Sequence, residues 1–264
     1  VNILEQIVAV KKDEIRKLRA DYRLRNFYDS PHFDRTAERF QKGVTSTKEL
    51  SVIAEIKKAS PSAGVICSAF DPAAIARGYE DNGAAAISVL TDRQFFQGHI
   101  EFLQTIADFS RVPLLRKDFI LDEYQVFESR WAGADAILLI AEILSASQIV
   151  ELSDAAREAG LDVLLELHNA DQLRKIDLSR NRIIGINNRN LETFSVDLNT
   201  CISIKQTLPS WVAVVAESGI KGPEEIRAIK KARIDGILVG EHLMRAENPG
   251  LALKELRRHC TDES

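Results

Sequence analysis

Val52-Ile53-Ala54-Glu55-Ile56-Lys57, with Ser60-Pro61-Ser62 close behind, reads as a buried β-strand that ends in charge. Alternate side chains of a strand share a face, so Glu55 and Lys57 point the same way with Ile53 behind them. A carboxylate and an ammonium on an apolar strand are costly to bury unless they are paired or face a wet cavity. The same shape recurs, an apolar run followed by an isolated polar group and a loop. It appears at Val112-Pro113-Leu114-Leu115-Arg116-Lys117-Asp118, Val163-Leu164-Leu165-Glu166, Ile183-Ile184-Gly185-Ile186-Asn187 and Val212-Ala213-Val214-Val215-Ala216-Glu217-Ser218-Gly219. Such repetition predicts a barrel with its chemistry at one mouth.

Working outward, the chain from residue 51 alternates apolar strands with helical patterns. Strands are predicted at 51–57, 84–90, 112–116, 135–140, 161–166, 182–187, 211–217 and 234–239. Helices are predicted at 72–82, 99–108, 122–132, 145–159, 169–176, 197–207, 222–232 and 249–259. A weak repeat supports the alternation: Asn82-Gly83-Ala84-Ala85, Ala132-Gly133-Ala134-Asp135 and Ala159-Gly160-Leu161-Asp162 share one grammar, with Ala232-Arg233-Ile234-Asp235 a degenerate copy. The glycine ends a helix cheaply in the left-handed conformation, and a short turn feeds the next strand. Continuous apolar strands separated by helices imply a covered parallel sheet. Eight units predict an α/β fold of the (β/α)8 TIM barrel type in one domain spanning 1–264, with 1–49 a helical extension and 50–264 the barrel. Neither GxGxxG after a first strand nor GxxxxGK[ST] occurs. In the extension, Ile3, Leu4, Ile7, Val8, Ile15 and Leu18 mark the apolar face of a helix over residues 1–20. Lys11, Lys12, Asp13, Glu14, Arg16 and Lys17 are assigned to its polar face. That helix is expected to pack on the barrel rather than to recruit a partner.

The bulk composition narrows the function. Hydrophobic residues make up 45% and charged residues 28%, ordinary for a globular protein, and the net charge of −4 gives no sign of a nucleic-acid binder. Cys67, Cys201 and Cys260 lie far apart, and the five histidines are scattered, so neither a disulfide framework nor a metal site is expected. No apolar run approaches the roughly 20 residues of a membrane span, and a cytoplasmic location is the expectation.

Glu55, Lys57, Lys117, Glu166, Asn187 and Glu217 all fall at the C-terminal ends of predicted strands, the active face of this architecture. Any one alone reads as a solvated strand–loop junction. Two lysines and three carboxylates sharing a mouth would perturb one another's proton affinities, which suits proton transfer. Lys117 could serve as an ammonium acid or as a neutral amine forming a Schiff base, and the residues alone leave both open. Ser218-Gly219 after the seventh strand and Gly240-Glu241 after the eighth form a candidate phosphate site, with 241–245 a short helical turn whose N–H groups face the anion. The Glu241 side chain would repel a phosphate, so only its N–H is credited. Ser60-Pro61-Ser62-Ala63-Gly64 is a candidate mobile loop. Phe95, Phe96 and Phe119 could line a pocket for an aromatic ring or simply pack the core.

At these residues the chain resembles the indole-3-glycerol-phosphate synthase family. The likeness is carried by Glu55 to Ser62, Thr91 to Gly98, Leu115 to Phe119, Glu166 to His168, Gly185 to Leu191, Glu217 to Ile220 and Val239 to Glu241, in order over nearly the whole chain. The resemblance implies a barrel that works without metal or cofactor on a small phosphorylated substrate. The implied reaction closes the ring of 1-(2-carboxyphenylamino)-1-deoxyribulose 5-phosphate with loss of CO2 and water. By position, Lys117 would protonate the ribulose carbonyl and Lys57 would hold the aryl carboxylate. Glu166 and Glu55 would be proton acceptor or electrostatic partners. Asn187 would orient hydroxyls, and Glu217 with Ser218 would complete the polar ring. Ser60, Arg189, Gly219, Gly240 and Glu241 would serve phosphate or ribulose. Pro61, Phe96, Phe119, Leu191 and Leu238 would enclose the aromatic ring. Association with other tryptophan-pathway enzymes is left open. Two departures stand out: Ala63 where relatives often carry lysine, and His99 where serine is usual. An isomerase of the phosphosugar-barrel type, such as phosphoribosylanthranilate isomerase, would need a cysteine at the end of an early strand, and none is there. A barrel that only binds would have lost polar groups at its mouth, and none is missing.

Overall fold

The computed structural model describes residues 3–35, 39–45, 49–190 and 195–261. The apolar runs become eight strands: β1 (Ser51–Ile56), β2 (Ala86–Leu90), β3 (Leu114–Lys117), β4 (Ala136–Ile140), β5 (Asp162–Leu167), β6 (Ile183–Asn187), β7 (Ala213–Glu217) and β8 (Gly236–Val239). They pair in parallel, each with its sequence neighbours, and β8 pairs with β1 to close the barrel. The expected (β/α)8 TIM barrel is thus the fold. Outside it lie α3 (Pro72–Asp81), α4 (Ile100–Ala107), α5 (Glu123–Trp131), α6 (Ala146–Glu158), α7 (Asn199–Thr207), α8 (Pro223–Lys231), the four-residue α9 (Glu241–Met244) and α10 (Pro249–Thr261); α1 (Ile3–Asp21) and α2 (Arg39–Thr45) belong to the N-terminal extension. The helix expected at 169–176 is a 3-10 segment, Ala170–Lys175, too short to complete two α-turns.

Seven strands begin one or two residues later than their apolar runs, and in four of them the cause is the repeated helix ending. Gly83, Gly133 and Gly160 are left-handed, with φ of 83°, 92° and 68°, and in the degenerate copy Arg233 takes φ 55°. The next residue donates its N–H back five positions: Ala84 to Tyr79, Ala134 to Ser129, Leu161 to Ala156 and Ile234 to Ile229. This is the Schellman cap, whose apolar residue just past the glycine is buried against the helix. Residues such as Ala84, Ala134 and Ile234 are therefore core without being part of the sheet ladder. The aspartates that follow are also structural. Asp135 Oδ2 accepts the N–H of Leu114 at 3.0 Å and Asp235 Oδ2 that of Val214 at 2.8 Å, tying each strand start to its neighbour.

The N-terminal extension reaches both ends of the barrel. At the strands' N-terminal end, α2 (Arg39–Thr45) buries Phe40 and Val44 in the interior cluster of Ile53, Ala86, Leu115, Leu164 and Val215. The N–H of Gln41 donates to Asp162 Oδ2 at 2.9 Å. At the other end, α1 (Ile3–Asp21) rests on the loops that follow β2 and β3. One assignment is corrected here. Lys11 does not lie on the polar face: it is 1% exposed and shares the inward face with Leu4, Ile7 and Ile15. Its spacing of four from Ile7 and from Ile15 places it there, and buried carboxylates receive its charge.

Candidate active site

Strand register brings the polar ends level. Asn187 pairs with Glu217, Glu217 with Leu238, and Glu166 with Gly185. Within β3 the alternation sends Arg116 outward to Glu128 at 2.8 Å and Lys117 inward. Lys117 Nζ stands 3.3 Å from Glu166 Oε2 and 3.2 Å from Glu217 Oε2. Asn187 Nδ2 donates to Glu166 Oε1 at 3.2 Å, and Asn187 Oδ1 accepts the Arg189 N–H at 3.0 Å. Lys57 Nζ is 2.8 Å from Glu55 Oε2, the pairing that a shared strand face requires. Glu55, Glu166 and Glu217 are all buried.

Two glycines make room for these carboxylates. A Cβ on Gly240 would overlap Glu55 Oε2, and one on Gly185 would overlap Glu217 Oε1. Side chains at either position would push an acid out of the ring.

Burial, charge and hydrogen bonds divide the acids. Burial pushes Glu217 up further than Lys117 can pull it down, and Glu166 and Glu55 nearby add to the rise, so its carboxyl rises to about 8. Burial also presses Glu166 upward, but Lys117, His168 and the Asn187 hydrogen bond overcome it and hold Glu166 down at about 2. Burial would lower Lys117, yet the surrounding carboxylates reverse that and raise it above an ordinary lysine. At neutral pH the ring therefore holds an ammonium, an anionic Glu166 and a protonated Glu217. Glu217's favourable contribution to stability is present below its unfolded value of 4.5 and is lost as pH rises through about 8.

The candidate phosphate loops lie beside this ring. Ser218 and Gly219 are consecutive left-handed residues, φ 65° and 80°, directly after β7. Gly240 precedes α9. The Glu241 carboxylate, which would oppose an anion, is turned to Arg245 at 2.8 Å and approaches Arg189 at 3.9 Å. Leu238 and Phe119 belong to the interior cluster, and Phe96 packs against it with its ring 6.1 Å from that of Phe119. Ser60 lies in a two-stranded hairpin, Ala59–Ser60 with Gly64–Val65, where its Oγ accepts the Ala63 N–H at 3.2 Å. Pro61 is exposed at that hairpin's turn. Leu191 lies outside the described residues. His99 does the work of a serine, its Nδ1 accepting the Glu101 N–H at 3.2 Å as the cap of α4.

Three groups at this mouth carried no role in the sequence reading. His168 Nε2 lies 3.2 Å from Glu166 Oε1 but off the hydrogen-bonding line, and neither ring nitrogen has a hydrogen-bond partner among the described residues. Its place two residues after Glu166, on the same side of an extended chain, is the signal that finds it. Asp92 and Asp118 follow β2 and β3 and receive Lys11. A lysine at an apolar phase of a helix is the clue to them.

A (β/α)8 barrel with lysines set among carboxylates at its C-terminal mouth defines a barrel enzyme of the acid–base class. A family profile described as indole-3-glycerol phosphate synthase matches residues 4–256. The protein of that name from Salinibacter ruber is 44% identical over 258 residues, covering 97% of this chain and 96% of that protein. Its namesake from Paracidovorax citrulli is 45% identical over 262 residues, covering 97% and 98%. Among solved structures, a 3-hexulose-6-phosphate synthase superposes with a TM-score of 0.64 at 16% identity, covering 80% of this chain and 100% of that one. Tryptophan synthase subunit alpha from Legionella pneumophila superposes with a TM-score of 0.61 at 14% identity, covering 84% and 98%. At such identities these two show the fold alone. The chain belongs to the indole-3-glycerol phosphate synthase family, carboxy-lyases of tryptophan biosynthesis.

Proposed function

We propose that this mouth closes the indole ring of 1-(2-carboxyphenylamino)-1-deoxyribulose 5-phosphate without metal or cofactor, with loss of CO2 and water. The observation that carries the reading is Lys117 held at 3.3 and 3.2 Å between an anionic and a protonatable carboxyl group. Lys117, kept charged, is the acid that delivers a proton to the ribulose carbonyl oxygen as the aryl carbon attacks; a Schiff base would need the neutral amine that this setting disfavours. Lys57, tethered by Glu55, receives the aryl carboxylate until CO2 leaves. Loss of CO2 restores the aryl ring; Glu166, oriented by Asn187, then takes the proton that leaves with hydroxide in the dehydration completing the indole, and Glu55 is the alternative acceptor. Glu217 with Ser218 completes the polar ring. Ser60, Arg189, Gly219, Gly240 and the Glu241 N–H take the phosphate and ribulose. Phe96, Phe119, Leu238 and Pro61 enclose the aryl ring. The substrate is a small anion, so neither nucleic acid nor membrane is part of the reading, and the cytoplasm is its setting. No described helix is long and apolar enough to cross a membrane.

The direct test is to give the purified protein the synthesised carboxyphenylamino substrate and follow indole fluorescence. Indole-3-glycerol phosphate should accumulate, and folded protein that yields none would end the reading. The same assay probes Glu217. As pH rises through about 8, its lost proton leaves a second anion facing Lys117. That anion makes the ammonium a weaker acid, so kcat/KM should fall across this range. Glu217→Gln, neutral throughout, should flatten the fall. An alkaline limb unchanged in the variant would assign it to another group.

A further inference from the structure

The N-terminal helix buries one cation beneath the apolar wall of the mouth. Lys11 Nζ lies 2.8 Å from Asp118 Oδ1, 2.9 Å from Asp92 Oδ2 and 2.8 Å from Glu14 Oε2. Both aspartates are buried, and a buried ammonium persists only with such partners. Each aspartate has a second task. Asp92 Oδ1 accepts the N–H groups of Phe95 at 2.7 Å and Phe96 at 3.2 Å. Asp118 Oδ1 accepts the N–H of Phe119 at 2.8 Å, while Oδ2 accepts Thr91 Oγ1 at 2.5 Å and Arg116 at 3.3 Å. A single ammonium thus ties together two separate turns, one carrying Phe95 and Phe96 and the other Phe119. Leu4 and Ile7, on the same face of α1, join the apolar cluster of Phe119 against which Phe95 and Phe96 pack.

We infer that Lys11 is a positioning residue for substrate binding. Through Asp92 and Asp118 it fixes the aromatic wall that receives the substrate's aryl ring. The inference rests on the proposed function and on Phe96 and Phe119 forming that wall. A purely structural clamp would change the melting temperature and leave KM alone. A positioning clamp separates KM from kcat, because Lys117 and its carboxylates are held by their own contacts.

Lys11→Met keeps most of the length of the side chain and removes its charge. The variant should raise KM for the carboxyphenylamino substrate about 10-fold with kcat within about 3-fold of the parent. Phe96→Ala should also raise KM. The double variant should exceed Phe96→Ala by no more than about 2-fold, since both changes act on one wall. A folded Lys11→Met protein with unchanged KM overturns the inference, as does a double variant in which the two effects multiply. Should Lys11→Met not fold, Asp92→Asn keeps the acceptor for the Phe95 and Phe96 N–H groups while loosening the hold of Lys11. A raised KM there supports the clamp and an unchanged KM defeats it. Parent protein that fails to turn over the substrate would defeat the proposed function instead, and Phe96→Ala with normal KM would remove the wall and the inference with it.

Discussion

Lys117→Ala is expected to lower kcat by about 10³-fold or more with KM changed far less. The side chain ends between Glu166 and Glu217 and, among the described residues, supplies the only charge-bearing proton donor in contact with both. Stability should survive better than the burial of the pair implies. Removing a partner from a buried ion pair ordinarily costs about 3–5 kcal/mol because a charge is stranded. Here Glu217 already holds its proton at neutral pH, and Glu166 can take one once Lys117 is gone. Glu166 in the parent has a depressed value, so its contribution is present above 4.5 and is lost as pH falls through about 2. In the variant that acid-side contribution should vanish, and the unfolding midpoint should depend less on pH below 5. Stopped turnover with a cooperative unfolding transition would separate lost chemistry from lost fold. Near-normal kcat would defeat the acid assignment.

The barrel and its ring were readable in the sequence for one reason. Parallel strands buried on both faces leave continuous apolar runs, so a single charged residue at the end of each run is conspicuous. Glu55, Lys57, Lys117, Glu166, Asn187 and Glu217 were all visible that way, and Glu55 with Lys57 even carried their pairing in a spacing of two. Strand starts were less legible, because the apolar residue of a Schellman cap looks like the first residue of a strand. Lys11 was misassigned because a lysine inside an amphipathic helix is usually solvated, and its partners Asp92 and Asp118 lie some 80 and 107 positions further along. Charge complementarity at that range exists only after folding. The division of roles between Glu166 and Glu217 was equally hidden. It depends on which oxygens face Lys117, on the Asn187 hydrogen bond and on the space above Gly185.

Glu166→Gln should cut kcat by about 10²-fold or more while leaving the ring assembled. Glutamine retains an oxygen that can accept from Asn187 Nδ2, so the geometry at 3.2 Å has no reason to collapse. What changes is the charge. Lys117 loses its anionic partner, and the nearest remaining carboxyl is Glu217 at 3.2 Å. Glu166 is one of the groups that pushes Glu217 up, so its neutralisation should bring the Glu217 value down from about 8. Glu217 then ionises and takes over the pairing with Lys117. The variant should therefore keep its stability at neutral pH, because one anion replaces the other, and its alkaline limb in kcat/KM should move to lower pH. The rate should still be low. Glu217 has Oε1 packed over Gly185 with no hydrogen-bond partner among the described residues, and none of them orients it for proton removal as Asn187 orients Glu166. Unchanged kcat in Glu166→Gln would transfer the proton-accepting role to Glu55, which already sits 2.8 Å from Lys57. A lowered kcat with an unmoved alkaline limb would keep the role with Glu166 and refute the coupling between the two acids.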